Sequence, residues 1–327
     1  MEVRKMSEPL VRVEHLTRVF TSGFISGFQI KAVDDVSFNI REGEIISLVG
    51  ESGSGKTTIG RIILRLLPPT SGRILFKGED IMKFNKKQLK SYYKQVQAVF
   101  QDPFASFNPV YPVDRAFDMI FDSFFPDLSH GEREELIAKA LEDVGLNPDE
   151  VLGKYPHQFS GGQLQRILIA RALLVEPSLL VADEAVSMLD ASTRIDVLNL
   201  LGDVRDRLGT SVLFVTHDLA LGYYISDTTL IMYRGRLVEF GDTERVFKNP
   251  LHPYTRMLLE SVPDLNVKWE FKGEIRPEAE ERSVYEIGGC NYAPRCPFAT
   301  EKCWKVRPQV VEVEKNHWVA CHLHGGE

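Results

Sequence analysis

The chain has 327 residues, of which 43% are hydrophobic and 26% charged, and carries a net charge of −7 at pH 7. That is an ordinary soluble composition with enough apolar material for a sizeable core, and the length points to roughly two or three structural units. It excludes the basic footprint of a nucleic-acid-binding chain and a polybasic cluster for anionic lipid, and no apolar run is long enough to cross a bilayer.

Residues 1–10 lack the apolar core of a signal peptide, so a cytoplasmic protein is expected, with any membrane role exerted through a partner. Residues 10–20 alternate in part and read as an opening strand. Thr21–Ile30 is rich in Gly and Ser and reads as a loop, and Ala32–Ile40 as a second strand ending at the turn Arg41-Glu42-Gly43. Ile45–Val49 is a short apolar run, a buried strand.

The next stretch organises the chain. Gly50-Glu51-Ser52-Gly53-Ser54-Gly55-Lys56-Thr57-Thr58 fits G-x-x-x-x-G-K-[ST], the phosphate-binding loop. Glycines let successive backbone N–H groups curl inward around an anion. Lys56 supplies a point charge for the outer phosphates, the Thr57 hydroxyl a ligand for Mg²⁺, and a helix over Thr57–Leu67 the positive end of its dipole. The bland alternative, a Gly/Ser-rich turn, does not require a strand before it and a helix after it. Pro68-Pro69 stops the helix, and a strand begins at Ser71 and runs through Phe76.

Residues 86–158 mix charged and apolar residues, with helical spacing clearest over Gly131–Val144, and read as a helical subdomain inserted in an α/β core. At its entry, a strand from Val96 ends in Gln101 at the start of a loop; alone, such a glutamine is more often solvated than a ligand. Ser160-Gly161-Gly162-Gln163 then opens a helix to about Leu174. Ser160 stands at the N-cap, and the glycines leave N–H groups open to an anion, although a capped surface helix reads as well.

Leu179–Ala182 is a buried strand with two carboxylates, Asp183 and Glu184, at its C-terminal end, where open α/β sheets bind ligands. Asp183 suits Mg²⁺ and Glu184 the attacking water, although carboxylates there are often helix caps. Ser187-Met188-Leu189-Asp190 continues the turn. Ser211–Val215 is a further buried strand leading to His217, which could reach a γ-phosphate or simply be a satisfied polar group.

In this order the pieces resemble the ATP-binding cassette of ABC transporters over residues 10–250. The resemblance implies a P-loop NTPase (RecA-like) α/β core with an antiparallel β subdomain and the inserted helical subdomain. It places Walker A at 50–58, the Q-loop at Gln101, the signature motif at Phe159–Gln163, Walker B at Asp183 and the catalytic glutamate at Glu184. Asp190 matches the D-loop and His217 the switch histidine. Gln101 joins Thr57 and Asp183 around Mg²⁺. Phe20 stands where an aromatic stacks on adenine, with Phe24 and Phe28 as neighbouring alternatives. Two cassettes would sandwich two ATP molecules, each held by Walker A of one subunit and Ser160-Gly161-Gly162 of the other. Phe159 replaces the usual leucine, and Ala185 the usual proline after the glutamate, a change that could loosen the turn carrying Glu184.

Asn249-Pro250-Leu251-His252-Pro253-Tyr254-Thr255, Gln101–Pro109 and Tyr155-Pro156-His157 are similar to segments of the oligopeptide/dipeptide subfamily. An ordinary Pro-broken turn into a helix over Tyr254–Ser261 is the alternative for the first. The subfamily imports peptides, and some members nickel or oligosaccharides. Residues 251–327 form its C-terminal extension, after a nucleotide-binding domain over 1–250.

That tail holds all four cysteines, Cys290, Cys296, Cys303 and Cys321, spaced C-x5-C-x6-C-x17-C. Zinc favours tighter pairs, so the gaps favour an iron–sulfur cluster, with zinc or unligated thiols as alternatives. Similar tails in the subfamily bind [4Fe–4S]. The resemblance also implies a second ATPase subunit, commonly a different chain, two transmembrane permease subunits and an external solute-binding protein, with this chain peripheral on the cytoplasmic face of the membrane. A soluble ABC protein acting on ribosomes or DNA would usually carry two cassettes, coiled coil or basic segments. A non-hydrolysing regulatory subunit would not need Glu184 and His217.

Overall fold

The computed structural model describes residues 8–22, 28–261 and 288–325. Two strands, β1 (Val11–Ser22) and β2 (Phe28–Ile40), form an antiparallel pair. Their ladder continues through Phe20–Ile30 to Ser22–Phe28, so both ends of the loop expected over 21–30, Thr21–Ser22 and Phe28–Ile30, are strand; residues 23–27 lie outside the described residues. β3 (Ile45–Val49) is fully buried and leads through the phosphate loop into α1 (Lys56–Ile63). The helix ends before the expected Leu67. Arg65 turns left-handed at φ 54, and the Leu66 and Leu67 N–H groups both return to the Arg61 carbonyl. β4 (Ser71–Phe76) and β5 (Glu79–Asp80) complete a four-stranded sheet of order β2-β1-β4-β5.

Two elements follow, α2 (Lys86–Gln95) and β6 (Val96–Val99). They correct the expected limits of the helical insert. β6 pairs with the core sheet, and Tyr92 of α2 packs edge-on to Phe76 while its hydroxyl donates to the Ile63 carbonyl. The inserted helices are therefore α3 (Asp114–Phe124), α4 (His130–Asp143) and α5 (Pro148–Val151), leading to α6 (Gly161–Leu173).

The rest of the core alternates: β7 (Leu179–Asp183), α7 (Ala191–Leu208), β8 (Ser211–Thr216), α8 (Leu219–Ile225), β9 (Thr228–Tyr233) and β10 (Arg236–Asp242). β9, β3, β8, β7 and β6 lie side by side and parallel. β3, β7 and β8 are buried on both faces, which is why they read as continuous apolar runs. Alternate residues feed two separate cores. Leu180 and Ala182 face the helices that include α6, and Leu179 and Val181 face α1 and the small sheet.

The tail adds α9 (Thr243–Lys248), α10 (Pro253–Glu260), α11 (Glu301–Lys305), β11 (Val310–Glu314) and β12 (His317–Ala320). β12 pairs antiparallel with β10, extending the large sheet to the order β11-β12-β10-β9-β3-β8-β7-β6. Under this junction Glu239 is completely buried. Its carboxylate accepts the Leu251 and His252 N–H groups and meets His317 Nε2 at 2.8 Å. The division expected between 250 and 251 therefore does not fall at a break in the sheet: buried polar bonds and a shared ladder cross it.

Candidate functional site

The phosphate loop is shaped by close approach. A methyl group on Gly50 would sit 2.1 Å from the Met232 carbonyl oxygen, and one on Gly55, at φ 105, would sit 2.0 Å from the Ala32 carbonyl oxygen. Only glycine fits at either position. The Gly235 N–H donates to the Ser54 carbonyl at 2.8 Å, so the turn between β9 and β10 also holds the loop. Lys56 is buried, its ammonium donating to the Gly50 and Glu51 carbonyls at 2.7 and 2.9 Å and to Ser54 Oγ at 3.3 Å. Burial lowers its pKa, against the pull of Glu184, Asp183 and Glu51.

The end of β7 meets the start of α1. Thr57 Oγ1 donates to Asp183 Oδ1 at 3.0 Å. Burial, with the Glu184 charge adding to it, raises the Asp183 pKa against that hydrogen bond. Glu184 takes a left-handed backbone at φ 50, held by its N–H to the Val215 carbonyl at 2.9 Å. His217, on the segment after β8, places Nδ1 3.4 Å from Glu184 Oε1. Ala185, at the expected proline position, is buried. The Ser187 N–H and hydroxyl both donate to the Glu184 carbonyl at 3.0 Å, a restraint the sequence reading missed.

Such a hydroxyl–carboxylate pair is the donor set of a hard divalent cation, so Thr57 and Asp183 fit Mg²⁺. Gln101 is not brought to them. Its side chain is exposed, and no hydrogen bond holds it among the described residues. Phe20 is also exposed, with the Arg18 guanidinium 4.7 Å from its ring centre. Phe24 and the Phe28 side chain lie outside the described residues.

Ser160 caps α6 as expected. Its side chain accepts from the Gln163 N–H while the Gln163 side chain accepts from the Ser160 N–H, so Gln163 is accounted for by the cap. A methyl group on Gly162 would sit 2.3 Å from Thr193 Cγ2 and force that side chain to shift, whereas one on Gly161 finds ordinary contact with Leu189. Asp190 caps α7. The Thr193 N–H and the Ser192 and Thr193 hydroxyls hold its carboxyl well below the usual range. No hydrogen bond ties Ser160–Gln163 to the phosphate loop of the same chain among the described residues.

The four cysteines, read as ligands of [4Fe–4S] or zinc, are gathered but do not form a ligating group. Among the described residues no three His, Cys, Asp or Glu side chains are placed to hold one metal ion. Cys290 and Cys296 pack against the cluster around Tyr233 and Tyr292, while Cys321 packs with Leu251 and Val319 in another. Burial raises the thiol pKa of Cys290 and Cys296 and pushes Cys321 up to about 11.

A family model described as ABC transporter matches residues 33–187, and one described as oligopeptide/dipeptide transporter, C-terminal region, matches residues 238–303. The oligopeptide transport ATP-binding protein AppF of Bacillus subtilis is 43% identical over 303 residues, 90% of each chain. A protein of Brucella ovis, provisionally named a peptide import ATP-binding protein, is 42% identical over 96% of this chain and 97% of its own. Among solved structures, cbiO1 from Clostridium perfringens, part of the ABC transporter complex cbiONQ, superposes with a TM-score of 0.64 at 27% identity, over 74% of this chain and 92% of that one. The cassette MJ0796, dimeric in a post-hydrolysis state bound to ADP and Pi, gives 0.64 at 27% identity over 71% and 98%.

Proposed function

The chain belongs to the ABC transporter family, and on that premise we propose that it is the ATP-hydrolysing subunit of an importer of di- or oligopeptides. The observation that carries the hydrolytic part is the meeting of Thr57 with Asp183 beside Glu184 and His217. The peptide part rests on the names of the relatives and on the match of residues 238–303.

In this reading the loop from Gly50 to Thr58 cradles the phosphates of ATP, and Lys56 exchanges its loop carbonyls for phosphate oxygens. Thr57 and Asp183 would hold Mg²⁺, which when bound neutralises charge between the outer phosphates. Glu184 holds the attacking water and takes up its proton, and His217, steadied by Glu184, donates to the γ-phosphate. Gln101, exposed on the loop after β6, would approach the same site only with nucleotide bound, and Phe20 would stack on adenine. Ser160, Gly161, Gly162 and Asp190 serve the ATP of a second subunit, which fits the missing bond to their own loop. That subunit is read as a different chain. The pair drives two permease subunits, fed by an external solute-binding protein, from the cytoplasmic face of the membrane. Among the described residues no helix is long and apolar enough to cross a membrane.

A [4Fe–4S] cluster, or zinc, at Cys290, Cys296, Cys303 and Cys321 is the finer part of the reading. Its support is the concentration of all four thiols in one tail, close enough to influence one another electrostatically. No catalytic step depends on it.

The test is to isolate the tagged chain from native membranes and assay ATP-driven uptake of labelled di- and oligopeptides into vesicles. Membrane-spanning partners and uptake lost in Lys56→Ala are expected. Ribosomes or nucleic acid as the companions would refute transport, and uptake of nickel or oligosaccharide alone would refute the peptide assignment.

A further inference from the structure

The His-Pro-Tyr segment and the cysteine-bearing tail reach the phosphate loop at one residue, Glu51. The Glu51 N–H donates to the Tyr254 hydroxyl at 3.0 Å. Arg295 Nη1 donates to both Glu51 carboxylate oxygens, at 3.1 and 2.9 Å. These contacts span 203 and 244 residues of sequence.

Both partners are held firmly. His252 Nδ1 accepts the Tyr254 N–H and so caps α10, and Pro253 takes the first helical position. Tyr254 is fully buried, its ring centre 4.6 Å from that of Tyr233 and 5.4 Å from that of Tyr292. The Arg295 guanidinium lies 5.9 Å from the Tyr233 ring centre and 6.0 Å from that of Tyr292. Burial raises the Tyr254 pKa, so the hydroxyl stays neutral and available as an acceptor. Each residue of the His-Pro-Tyr triplet thus has a part: one caps, one starts the helix, and one delivers a hydroxyl to the loop.

Glu51 is an awkward residue for a loop that holds phosphates, because it adds a negative charge where anions bind. Pairing with Arg295 neutralises that charge and turns it toward the tail. The Tyr254 bond fixes the peptide next to Gly50, where N–H groups must converge.

We infer that Tyr254 and Arg295 are positioning residues of the nucleotide site, acting through Glu51: Arg295 screens its carboxylate from the phosphates, and Tyr254 sets the backbone of the loop. The inference rests on the reading of residues 50–58 as an ATP site. It makes the tail part of the machinery that binds nucleotide.

The full-length chain is titrated with the fluorescent analogue mant-ATP and Mg²⁺, with thermal unfolding followed in parallel. The pair is partly exposed, so Arg295→Ala is expected to weaken binding about three- to fivefold. Tyr254→Phe removes one hydrogen bond and is expected to cost about threefold. The deciding comparison is a double-mutant cycle. Glu51→Gln removes the charge that Arg295 screens, so Arg295→Ala in that background is expected to bind as tightly as Glu51→Gln alone. Should Arg295→Ala not fold, Arg295→Gln takes its place in the cycle. Variants binding like wild type, or an Arg295→Ala loss that persists in the Glu51→Gln background, would overturn the inference while leaving the ATP site intact. A wild-type chain that binds no mant-ATP would overturn the nucleotide reading, and this inference with it.

Discussion

The Thr57 hydroxyl donates to Asp183 Oδ1 across 3.0 Å, joining the first turn of α1 to the last residue of β7. Asp183→Asn keeps the side-chain shape and removes the charge. ATP hydrolysis by the assembled complex is expected to fall about a hundredfold or more, with the Mg²⁺ requirement raised. Thr57→Ser retains the hydroxyl and is expected to stay near wild type. A Mg²⁺ titration of ATPase rate checks both, and an unchanged Asp183→Asn curve would remove the metal role.

Glu184 is held in a left-handed backbone with His217 against its carboxylate. Glu184→Gln is expected to lower steady-state hydrolysis by about 10²–10⁴-fold while mant-ATP still binds. A variant that hydrolyses ATP at the wild-type rate would show that another group handles the water.

Gly162 packs against Thr193 Cγ2 with no room for a methyl group. Gly162→Ala is expected to destabilise the chain by about 1–3 kcal/mol through overpacking. Gly162→Ala with Thr193→Ser keeps the hydroxyl that binds Asp190 and removes the clashing methyl, so the unfolding midpoint is expected to recover. Gly161→Ala is expected to leave the midpoint unchanged, and any loss of ATPase there would mark the approach of a ligand. Equal midpoints for Gly162→Ala and wild type would contradict the packing argument.

His252 is buried, and burial together with the charges of His324 and Arg256 lowers its pKa to about 3. The unfolded chain binds that proton near pH 6.5, so acidification favours unfolding. The stability from a neutral His252 is complete above pH 6.5 and drains away as pH falls toward 3, by up to about 1.4 kcal/mol per pH unit. His252→Asn can still cap α10 and does not titrate. Urea midpoints at pH 7 and pH 5 are expected to differ less in the variant than in wild type, and parallel slopes would exclude the histidine.

Anaerobic purification with iron, sulfide and zinc measured together tests the cysteine site. Iron and sulfide in equal amounts, lost in Cys296→Ser, are expected if the four thiols close around a cluster. Zinc alone would replace that assignment, and no metal would leave Cys290, Cys296 and Cys321 with packing as their only role.

What the sequence made legible was local. The phosphate loop, the carboxylates after β7 and the cap at Ser160 each depend on residues a few positions apart, so spacing and residue type suffice. The rest depends on register or long range. The strand from Val96 is legible, but its place in the core sheet is not, because its partner β7 is far along the chain. Ser22 and Phe28 pair because the ladder before them is already in register. Tyr254 and Arg295 meet Glu51 through side chains that no periodicity brings together. The Asn249–Thr255 segment was recognisable by its wording, but its physical purpose became visible only when the hydroxyl of Tyr254 had an address.

The pairing of β12 with β10 also changes what the molecule offers to other molecules. A chain ending after α10 would leave β10 as an open edge, its free N–H and C=O groups beside an unstacked Phe240, which otherwise lies face to face with Trp318 at 5.2 Å. Such an edge recruits further strands and leads toward aggregation. The tail replaces it with β11, a short outermost strand that carries Glu312 and Glu314. The last strands of the chain therefore also close an edge that β10 would otherwise present.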